Sequence, residues 1–557
     1  MQIDCFNRNA YRLKSLTFCI FHFSFSSCII DTMSRKTPTS ERQRTANALN
    51  VSPFLWLLPV GGVALALGFP NDLLPGRVGD RPSFLVAWVA LVPLLWAIQV
   101  LPAKTRYWAA YLYGAGFGLC TVAWMRLFGN IPWLLLALAY LAIFFPLAVF
   151  LADRLAPRRL LPLGFALAFT GLEWARGQGM FGFPWAELGS SQVEGVTARI
   201  ASVGGIPLIT FLLLWTAGAA VQAVRERRAG WQLPASVGAL AALLLAGYWQ
   251  SRAADGRWEA GQPRLRVSVV QPNVLRGLTP ADLRISPSWE ELQRRTDKMV
   301  ALSYEGASDP LPPGLNRLVI WPESAMRNGI YAAAIFRFCR ETGSYLLLGA
   351  PGNPRDPDMP NIYNSAYLLQ YRPARPIELE RYDKMHLVPF GEFVPMRKLV
   401  TKFYTVRAND IVRGTVRKAL RETGVPLGVG ICFESTFPAF SRQYANQGAG
   451  LLVYITNDAW FHVTAAGRQH FNHARFRALE TGLPVARSAS TGISGFIAPD
   501  GRILGEIPTD REGVQTRGLA PGIPGTLYTR AGWLFGPACL LLALGWFVVG
   551  IVRARRR

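Results

Sequence analysis

The chain has 557 residues, of which 51% are hydrophobic and only 17% are charged, and its formal net charge is +24. One hydrophobic core rarely fills this length, so two structural units are expected, and so apolar a composition excludes an ordinary soluble protein. The basic excess would suit a nucleic-acid-binding protein, but its distribution along the chain indicates membrane topology instead.

The N-terminal segment carries basic side chains followed by an apolar run over residues 18–30, a pattern that resembles a signal peptide. Cleavage would leave a basic N-terminus on the outer face, and retention as an extra span would put the two basic tails on opposite sides of the membrane. The pattern therefore favours a start at Met33, with residues 1–52 as a cytoplasmic tail and residues 1–32 as a mis-assigned extension.

Crossing a bilayer as a helix takes about 20 mostly apolar residues. Eight stretches are candidates, of which the fifth and seventh are shorter than this length: Pro53–Phe69, Phe84–Leu101, Tyr107–Met125, Ile131–Ala152, Leu160–Leu172, Ala201–Val224, Ser236–Trp249 and Ala531–Val552. The sequence thus predicts a transmembrane domain of seven spans over residues 53–249 and an eighth transmembrane helix over residues 531–552. Glu173 and Arg176, at the end of the fifth stretch, either have a function in the membrane if they are buried or simply mark the helix end.

The connections between these stretches alternate between strongly basic and mixed charge. Lys and Arg collect on the cytoplasmic side of membrane proteins, and here the basic set includes both tails. Its members include Arg35, Lys36, Lys104, Arg106, Arg158, Arg159, Arg227, Arg228, Arg555 and Arg556. An even number of spans then places residues 250–530 outside as a soluble domain and leaves residues 553–557 as a cytoplasmic basic tail.

The segment 250–530 has the pattern of an α/β domain. Short apolar runs bounded by turn residues predict six buried strands: Leu265–Val270, Arg317–Trp321, Tyr345–Gly349, Ser365–Gln370, Pro426–Ile431 and Leu451–Thr456. Helical spacing of apolar residues predicts four helices: Trp289–Tyr304, Ala332–Thr342, Phe437–Gln447 and Gln469–Leu479. Strands that alternate with helices indicate layers of sheet and helix.

Polar residues follow several of the predicted strands at their carboxyl ends, where ligand sites gather in layered sheets. Glu323, Cys432 and Asn457 with Asp458 occupy such positions. Each also has a purely structural interpretation, because a cysteine that ends an apolar strand is commonly an inert core residue and a glutamate can simply stabilise a helix N-terminus. Lys384 would ordinarily be a solvated surface charge.

Cysteine and histidine usage limits the chemistry of this segment. Only Cys339 and Cys432 fall within it, too few for a disulfide framework. Four of the five histidines also lie there: His386, His462, His470 and His473. A Cys-His pair remains an alternative, but these histidines lack the helical spacing and acidic partners of a metal site, so neither a metal nor a cofactor is predicted.

Four motifs, WPES at 321–324, DKMHLVPFGEFVP at 383–395, GICFES at 430–435 and TNDAWF at 456–461, together resemble the carbon-nitrogen hydrolase, or nitrilase, superfamily. With seven predicted spans before the domain and one after it, the chain resembles the bacterial apolipoprotein N-acyltransferase family within that superfamily. The resemblance implies an α-β-β-α sandwich for the outer domain. It also implies a bacterial inner-membrane protein whose catalytic domain faces the periplasm.

The resemblance implies Glu323 as general base, Lys384 as its positively charged partner and Cys432 as nucleophile, with Glu392 and Glu434 in supporting positions. These residue types suit acyl transfer, because a carboxylate can take the proton of a thiol while a nearby ammonium lowers the thiol pKa.

Several further residues are predicted around this triad. We expect Lys384 and the backbone N–H of Phe433 to bind the oxyanion of the tetrahedral intermediate. Trp460 and Phe461 are candidates for one wall of an acyl groove, with core packing as the alternative, and Asn457 is a candidate substrate contact.

The implied reaction moves a fatty acyl chain from a membrane phospholipid, through a Cys432 thioester, to the α-amino group of the N-terminal diacylglyceryl cysteine of an apolipoprotein. Removing a chain of about 16 carbons from lipid would cost on the order of 12 kcal/mol, so the site is expected at the membrane surface. The alternatives are a membrane-anchored amidase acting on a small amide and a non-catalytic receptor or transporter. The intact triad argues against the receptor, and eight spans argue against the amidase, since an anchor needs only one.

Overall fold

The computed structural model describes residues 57–555 apart from residue 75 and residues 156–157, 275–288, 327–332, 353–361, 374–377 and 401–410. The N-terminal extension, and with it the prediction of a start at Met33, lies outside the described residues. The start of the first predicted span lies outside them as well.

The first part of the described chain is helical. Its helices are α1 (Leu57–Ala66), α2 (Gly76–Asp80), α3 (Leu85–Ala90), α4 (Val92–Val100), α5 (Ala103–Thr121), α6 (Asn130–Leu134), α7 (Phe144–Leu155), α8 (Leu161–Arg176), α9 (Ala201–Glu226) and α10 (Gln232–Glu259). A π-helical turn over Leu135–Leu141 links α6 to α7. Each of the first seven apolar stretches coincides with one or two of these helices.

Four helices in the described part of the chain are long and apolar enough to cross a membrane: Asn130–Arg154, Val196–Glu226, Gln232–Glu259 and Gly532–Gly550. Shorter apolar helices occupy Leu57–Ala66 and Leu85–Val100. Because a run of about 20 apolar residues in a helix suits a bilayer far better than water, this set of helices is that of a membrane protein.

Helix α10 continues to Glu259, well past the predicted end at Trp249. Charged pairs stabilise this polar extension. Arg252 lies 3.8 Å from Asp255 within the helix, and Arg502 reaches in from the α/β part to donate to Asp255 at 3.0 Å and to Glu259 at 2.9 Å. The apolar stretch therefore marks only the middle of a longer helix that runs into the soluble part.

The α/β part contains eleven strands among the described residues: β1 (Leu265–Gln271), β2 (Asn316–Ile320), β3 (Tyr345–Gly352), β4 (Tyr363–Leu369), β5 (Glu378–Asp383), β6 (Leu427–Ile431), β7 (Leu451–Thr456), β8 (Val485–Ala489), β9 (Ser494–Ile497), β10 (Ile503–Ile507) and β11 (Gly513–Leu519). They form a six-stranded sheet in the order β11-β1-β2-β3-β4-β5 and a five-stranded sheet in the order β10-β9-β8-β7-β6. All six predicted strands are confirmed, whereas β5 and β8 to β11 were not predicted.

The remaining helices are α11 (Trp289–Gly306), α12 (Ala333–Thr342), α13 (Arg397–Val400), α14 (Pro438–Asn446), α15 (Ala465–Thr481), α16 (Leu527–Arg530) and α17 (Phe535–Arg555). The four helices predicted in this part are confirmed as α11, α12, α14 and α15. The eighth apolar stretch coincides with α17.

Three hydrophobic clusters hold the α/β part together. The largest draws members from both sheets, among them Leu318 of β2 and Val429 of β6. A second cluster joins α11 and α12 to the six-stranded sheet through Met299 and Phe338, and a third joins α14 and α15 to the five-stranded sheet. Both faces of the central strands are therefore buried, which explains their nearly continuous apolar sequences.

Candidate active site

The candidate catalytic residues follow strands that point in the same direction within each sheet. Strand β3 is parallel to β2, and β5 runs with them because β4 is antiparallel to both β3 and β5. Glu323 follows the end of β2, and Lys384 directly follows β5. In the second sheet, Cys432 and Asn457 directly follow the parallel neighbours β6 and β7. The sheet topology thus brings four segments of the chain to one edge.

Lys384 is the centre of a buried charged cluster. Its side chain is 1% exposed, and Nζ lies 2.8 Å from Oε1 of Glu392 and 3.4 Å from Oε1 of Glu323. Asn364 donates through Nδ2 to the same two oxygens, at 2.7 Å to Glu323 and 3.0 Å to Glu392. The ammonium therefore lies between two carboxylates, and the side-chain amide of Asn364 donates a hydrogen bond to each of them.

Burial favours the neutral form of Lys384, but the charges of Glu323 and Glu392 outweigh that effect, so the pKa of the ammonium is raised well above its ordinary value. Lys384 consequently stays charged throughout the physiological range. A permanent ammonium in a buried cluster suits the stabilisation of negative charge and does not suit proton transfer.

Glu323 is fixed by contacts on both carboxylate oxygens. Oε1 accepts from Asn364, and Oε2 accepts a hydrogen bond from the backbone N–H of Asn457 at 2.8 Å. Its backbone presses against strand β3, where a Cβ added to Gly349 would come within 2.6 Å of the Glu323 Cα. A glycine is needed at that position because any side chain would push the carboxylate out of the site.

Cys432 begins a tight 3₁₀ turn, Cys432–Thr436, at the end of β6, and its φ of +54° lies in the left-handed region. Residues other than glycine rarely adopt this conformation, and such strain is concentrated at functional positions. The turn reverses the chain so abruptly that the side chain leaves the sheet at its edge, where the Glu323 and Lys384 charges act on the thiol.

The thiol pKa differs from the sequence-based expectation. Burial, followed by the negative charge of Glu323, raises the pKa of Cys432 far above its ordinary value, and the Lys384 ammonium opposes this rise without overcoming it. Lys384 thus lowers the thiol pKa as the sequence predicted, but the larger effect of burying a thiolate could not be read from residue types. The resting form is the thiol, so its deprotonation requires a base in the site.

Glu434 holds the turn that begins at Cys432 by accepting four hydrogen bonds. Its Oε1 accepts hydrogen bonds from the hydroxyl of Tyr382 at 2.8 Å, the N–H of Met385 at 2.7 Å and the N–H of His386 at 3.0 Å. Its Oε2 accepts from the N–H of Ile431 at 2.8 Å. Glu434 thereby ties the segment after Lys384 to the strand before Cys432.

Glu392 has a similar second function. While Oε1 faces Lys384, Oε2 accepts a hydrogen bond from the backbone N–H of Val388 at 2.9 Å. The carboxylate thus closes the turn that connects it to Lys384. Its role in the described structure is to hold the ammonium in place.

An aromatic cluster connects the site to the helical part. Phe433 lies 6.2 Å from Phe183, which stacks on Trp185 at 5.9 Å with an interplanar angle of 11°. Phe461 packs against Trp185 at 6.0 Å and against Trp124 at 5.2 Å. Phe461 therefore lies against tryptophans from the helical part, as the core-packing alternative requires, and its role as a wall for an acyl chain stays a prediction.

The two other predicted substrate contacts are in different environments. Trp460 is 37% exposed, whereas the side chain of Asn457 is buried and accepts a hydrogen bond from Ser490 at 2.6 Å. Asn457 also lines a cavity beside Glu323, closed on its far side by Leu292 and Met299 of α11. Its backbone N–H holds Glu323, a function that the sequence pattern did not indicate.

Sequence reasoning missed Asn364, which bridges the two carboxylates from the start of β4. No local signal identifies it, because an asparagine near a strand end is ordinarily a turn residue. Glu173 and Arg176 are both buried, but Glu173 accepts from the N–H of Leu188 at 2.8 Å and from the hydroxyl of Thr210 at 2.7 Å. These contacts tie the loop after α8 to α9.

Comparison with known proteins gives two family matches. The model of the apolipoprotein N-acyltransferase N-terminal domain matches residues 61–219, and the model of the carbon-nitrogen hydrolase family matches residues 314–522. The second match covers Glu323, Lys384 and Cys432, and it confirms the nitrilase-like α/β fold of this part.

Two similar relatives are each named apolipoprotein N-acyltransferase. The protein from Geobacter metallireducens is 30% identical over 524 residues, which cover 89% of this chain and 95% of the relative. The protein from Bradyrhizobium diazoefficiens is 33% identical over 429 residues, covering 73% and 76% respectively. Among solved structures, Saccharomyces cerevisiae Nit3, a member of branch 10 of the nitrilase superfamily, is 18% identical with a TM-score of 0.35, and the match covers 49% of this chain and 94% of that one.

Proposed function

The chain belongs to the apolipoprotein N-acyltransferase family, and we propose that Cys432 carries the acyl group as a thioester, with Glu323 as general base and Lys384 as oxyanion partner. As a family member it is an acyltransferase of lipoprotein maturation. The proposed donor is a membrane phospholipid, and the proposed acceptor is the α-amino group of the N-terminal diacylglyceryl cysteine of an apolipoprotein.

The observation that carries this proposal is the geometry around Lys384. Its ammonium is held 2.8 Å from Glu392 and 3.4 Å from Glu323. Glu323 Oε2 accepts one hydrogen bond, from the N–H of Asn457, and does not contact the ammonium, so it retains a lone pair for a proton from Cys432. The raised thiol pKa fits a base-assisted attack in which the proton leaves only when an ester is in place.

In the first half-reaction, Glu323 accepts the thiol proton and Cys432 Sγ bonds to the ester carbonyl carbon. The carbonyl π electrons move onto oxygen, where Lys384 and the N–H of Phe433 stabilise the negative charge. As the carbonyl forms again, the bond to the glycerol oxygen breaks, and that oxygen takes the proton from Glu323. The products are a lysophospholipid and the acyl-enzyme.

In the second half-reaction, the α-amino group of the acceptor attacks the thioester carbon and gives a proton to Glu323. The C–S bond breaks, and the sulfur takes the proton back. Water must be excluded between the two steps, since it would hydrolyse the thioester. Phe433, and Phe461 with the two tryptophans packed on it, supply apolar surface for that purpose.

We place the site at the outer face of the bacterial inner membrane. The proposed domains are a cytoplasmic tail over residues 1–52, seven spans over 53–249, a periplasmic catalytic domain over 250–530, an eighth span over 531–552 and a basic tail over 553–557. Alternating basic connections support the orientation. The hydrophobic cluster shared by the two sheets, with helices on their other faces, supports an α-β-β-α sandwich.

The direct test is mass spectrometry of the purified protein after incubation with phospholipid vesicles and no acceptor. We expect a stable acyl adduct on Cys432 that is discharged when a peptide with a free N-terminal diacylglyceryl cysteine is added. Cys432→Ala should form no adduct, and Glu323→Gln should slow its formation by about 10² to 10⁴-fold. An unmodified Cys432 together with ammonia release from small amides would favour the anchored amidase instead.

A further inference from the structure

We propose that His470 is a positioning residue that orients the peptide bond between Cys432 and Phe433, and with it the N–H that binds the oxyanion. The inference rests on the proposed function, because this oxyanion forms only when Cys432 attacks an acyl carbonyl. It extends that function to helix α15, which contributes no residue to the triad of Glu323, Lys384 and Cys432.

The carbonyl of Cys432 points away from the site and into α15. Its oxygen lies 2.9 Å from the hydroxyl of Ser435 and 3.1 Å from Nε2 of His470. The Ser435 hydroxyl lies 2.9 Å from the same imidazole nitrogen. Three groups thus meet at one point, and they fix the direction of this carbonyl.

The direction of the carbonyl sets the direction of the oxyanion donor. The Cys432–Phe433 peptide bond is trans, so its C=O and N–H lie in one plane and point in opposite directions. With the carbonyl held against His470, the N–H of Phe433 points to the other side of the peptide, toward the site. Any rotation of this peptide plane would turn the donor away from a bound acyl group.

The backbone next to this peptide bond is in a strained conformation. The φ of +54° at Cys432 is costly for a residue with a side chain and persists only where its surroundings enforce it. The hydrogen bonds to the Cys432 carbonyl are part of that enforcement. Loss of the imidazole would leave Ser435, on the same short turn, as the remaining hydrogen-bond partner of the carbonyl among the described residues.

The imidazole itself is held rigidly. His470 is fully buried, and its Nδ1 lies 3.0 Å from Oδ1 of Asp458 and 3.0 Å from Nη2 of Arg487. Arg487 also donates to Oδ2 of Asp458 at 2.9 Å. The ring of Trp185 packs against the imidazole at 5.5 Å. Because a guanidinium can only donate, Nδ1 accepts from Arg487, and this leaves the ring hydrogen on Nε2, where the Cys432 carbonyl accepts it.

The experiment compares three full-length variants with the wild type. His470→Phe keeps a flat ring but removes the donor. His470→Gln restores an amide N–H near the position of Nε2. His473→Phe is the matched control, because His473 is also buried on α15 and packs on Trp185 at 5.3 Å, while its Nδ1 has no hydrogen-bond partner within the described part of the chain.

Two rates are measured for each protein in phospholipid-containing micelles. One is formation of the acyl adduct on Cys432. The other is modification of Cys432 by methyl methanethiolsulfonate, which reacts at sulfur and develops no oxyanion on a carbonyl. We expect His470→Phe to slow acylation about 10- to 100-fold, less than the 10² to 10³-fold loss on removing an oxyanion donor outright. Thiol modification should change less than about threefold, a margin we set well below the acylation loss.

His470→Gln should recover most of the acylation rate, and His473→Phe should acylate like the wild type. The inference is overturned if His470→Phe acylates at the wild-type rate, if both rates fall together, or if glutamine gives no recovery. Absence of any adduct in the wild type would instead refute the proposed function, so the two failures are distinguishable.

Discussion

Lys384 and Glu392 are eight residues apart, and the lysine Nζ is closer to Glu392, at 2.8 Å, than to Glu323, at 3.4 Å. The carboxylate that lies nearer to the ammonium is therefore not the proposed base. This arrangement leaves Glu323 less neutralised than a simple Glu-Lys pair would, and a less neutralised carboxylate is a better proton acceptor.

Glu392→Gln is predicted to slow adduct formation on Cys432 by about 10- to 100-fold, less than the loss of about 10² to 10⁴-fold expected when the general base itself is removed. With the nearer carboxylate gone, the ammonium pairs with Glu323 alone and weakens it as a base. Glu422→Gln is the control, because Glu422 pairs with Arg372 at 3.0 Å on the exposed surface. Equal adduct rates in Glu392→Gln and the wild type would contradict the proposal that Glu392 holds the ammonium while Glu323 acts as the base.

The pH dependence of Cys432 reactivity follows from its raised pKa. Because burial and Glu323 disfavour the thiolate, modification by methyl methanethiolsulfonate should keep rising through and beyond pH 8.5, where an unperturbed cysteine has its midpoint. Glu323→Gln removes a negative charge beside the sulfur, so it should lower the thiol pKa and increase this reactivity at pH 8 to 9. The same variant should nearly stop acylation. A slower reaction with the reagent would show that Glu323 does not raise the thiol pKa.

His386 should make the protein sensitive to acid. Its ring lies 3.7 Å from that of Phe437, and burial, with the charges of Arg413, Lys384 and Arg417, lowers its pKa to about 4. Unfolded histidine titrates near pH 6.5, so between about pH 6.5 and 4 the unfolded state binds the proton more tightly and stability falls as the pH falls. His386→Phe should lose less in Tm between pH 7 and 5 than the wild type does. Parallel Tm curves for the two proteins would be evidence against this.

Gln469 should be one of the costliest polar residues of α15 to replace. Its Oε1 accepts from the indoles of Trp185 at 2.6 Å and Trp124 at 3.1 Å, and its Nε2 donates to the carbonyls of Pro70 at 2.7 Å and Thr121 at 3.0 Å. Gln469→Leu leaves these buried groups unpaired, each at about 1–3 kcal/mol, and should destabilise the protein by several kcal/mol.

Thermal unfolding in detergent measures this loss. Gln178→Leu, at an exposed glutamine that donates to the carbonyl of Trp174, is the control and should change stability by less than about 0.5 kcal/mol. Similar shifts for the two variants would show that the contacts of Gln469 contribute little.

Reporter fusions test the proposed orientation. Fusions after Arg228 and after Arg557 should report the cytoplasm, and a fusion near Arg264 should report the periplasm, because the basic connections select the inner side. A cytoplasmic signal near Arg264 would overturn the arrangement of eight spans. It would also place Cys432 on the wrong side for a periplasmic acceptor.

The fold could be predicted where a buried strand also has a continuous apolar sequence, which β8, with the sequence VARSA, lacks although it is buried throughout. Strands such as β6 and β7 are buried at every position, so their apolar runs are visible. Strand β5, with the sequence ELERYD, is only partly buried, and β11 has exposed residues within it. Such strands form because their backbones pair with strands that are distant in sequence. Residue types alone do not reveal this pairing.

In the candidate site too, some features could be predicted from the sequence and others could not. The motifs that carry Glu323, Lys384 and Cys432 were sufficient to name those residues, because each lies at a strand end within a recognisable sequence. The effect of Lys384 on the Cys432 pKa was predicted with the right sign, but the net rise of that pKa was not, since it depends on how deeply the thiol is buried. The contacts of Asn364 and His470 depend on which elements meet in three dimensions.

The four hydrogen bonds of Gln469 bear on how this protein can be handled in the laboratory. A catalytic fragment excised without the helices would lose the tryptophan partners of Gln469 and uncover the rings of Phe433, Phe461 and His470. Such a fragment would expose aromatic surface to water. Its Cys432–Phe433 peptide bond, which carries the proposed oxyanion donor, would be held less firmly. Screens for inhibitors of this enzyme should therefore use the intact chain in nanodiscs. Compounds found with a truncated domain would be selected for binding to a site whose structure differs from the native one.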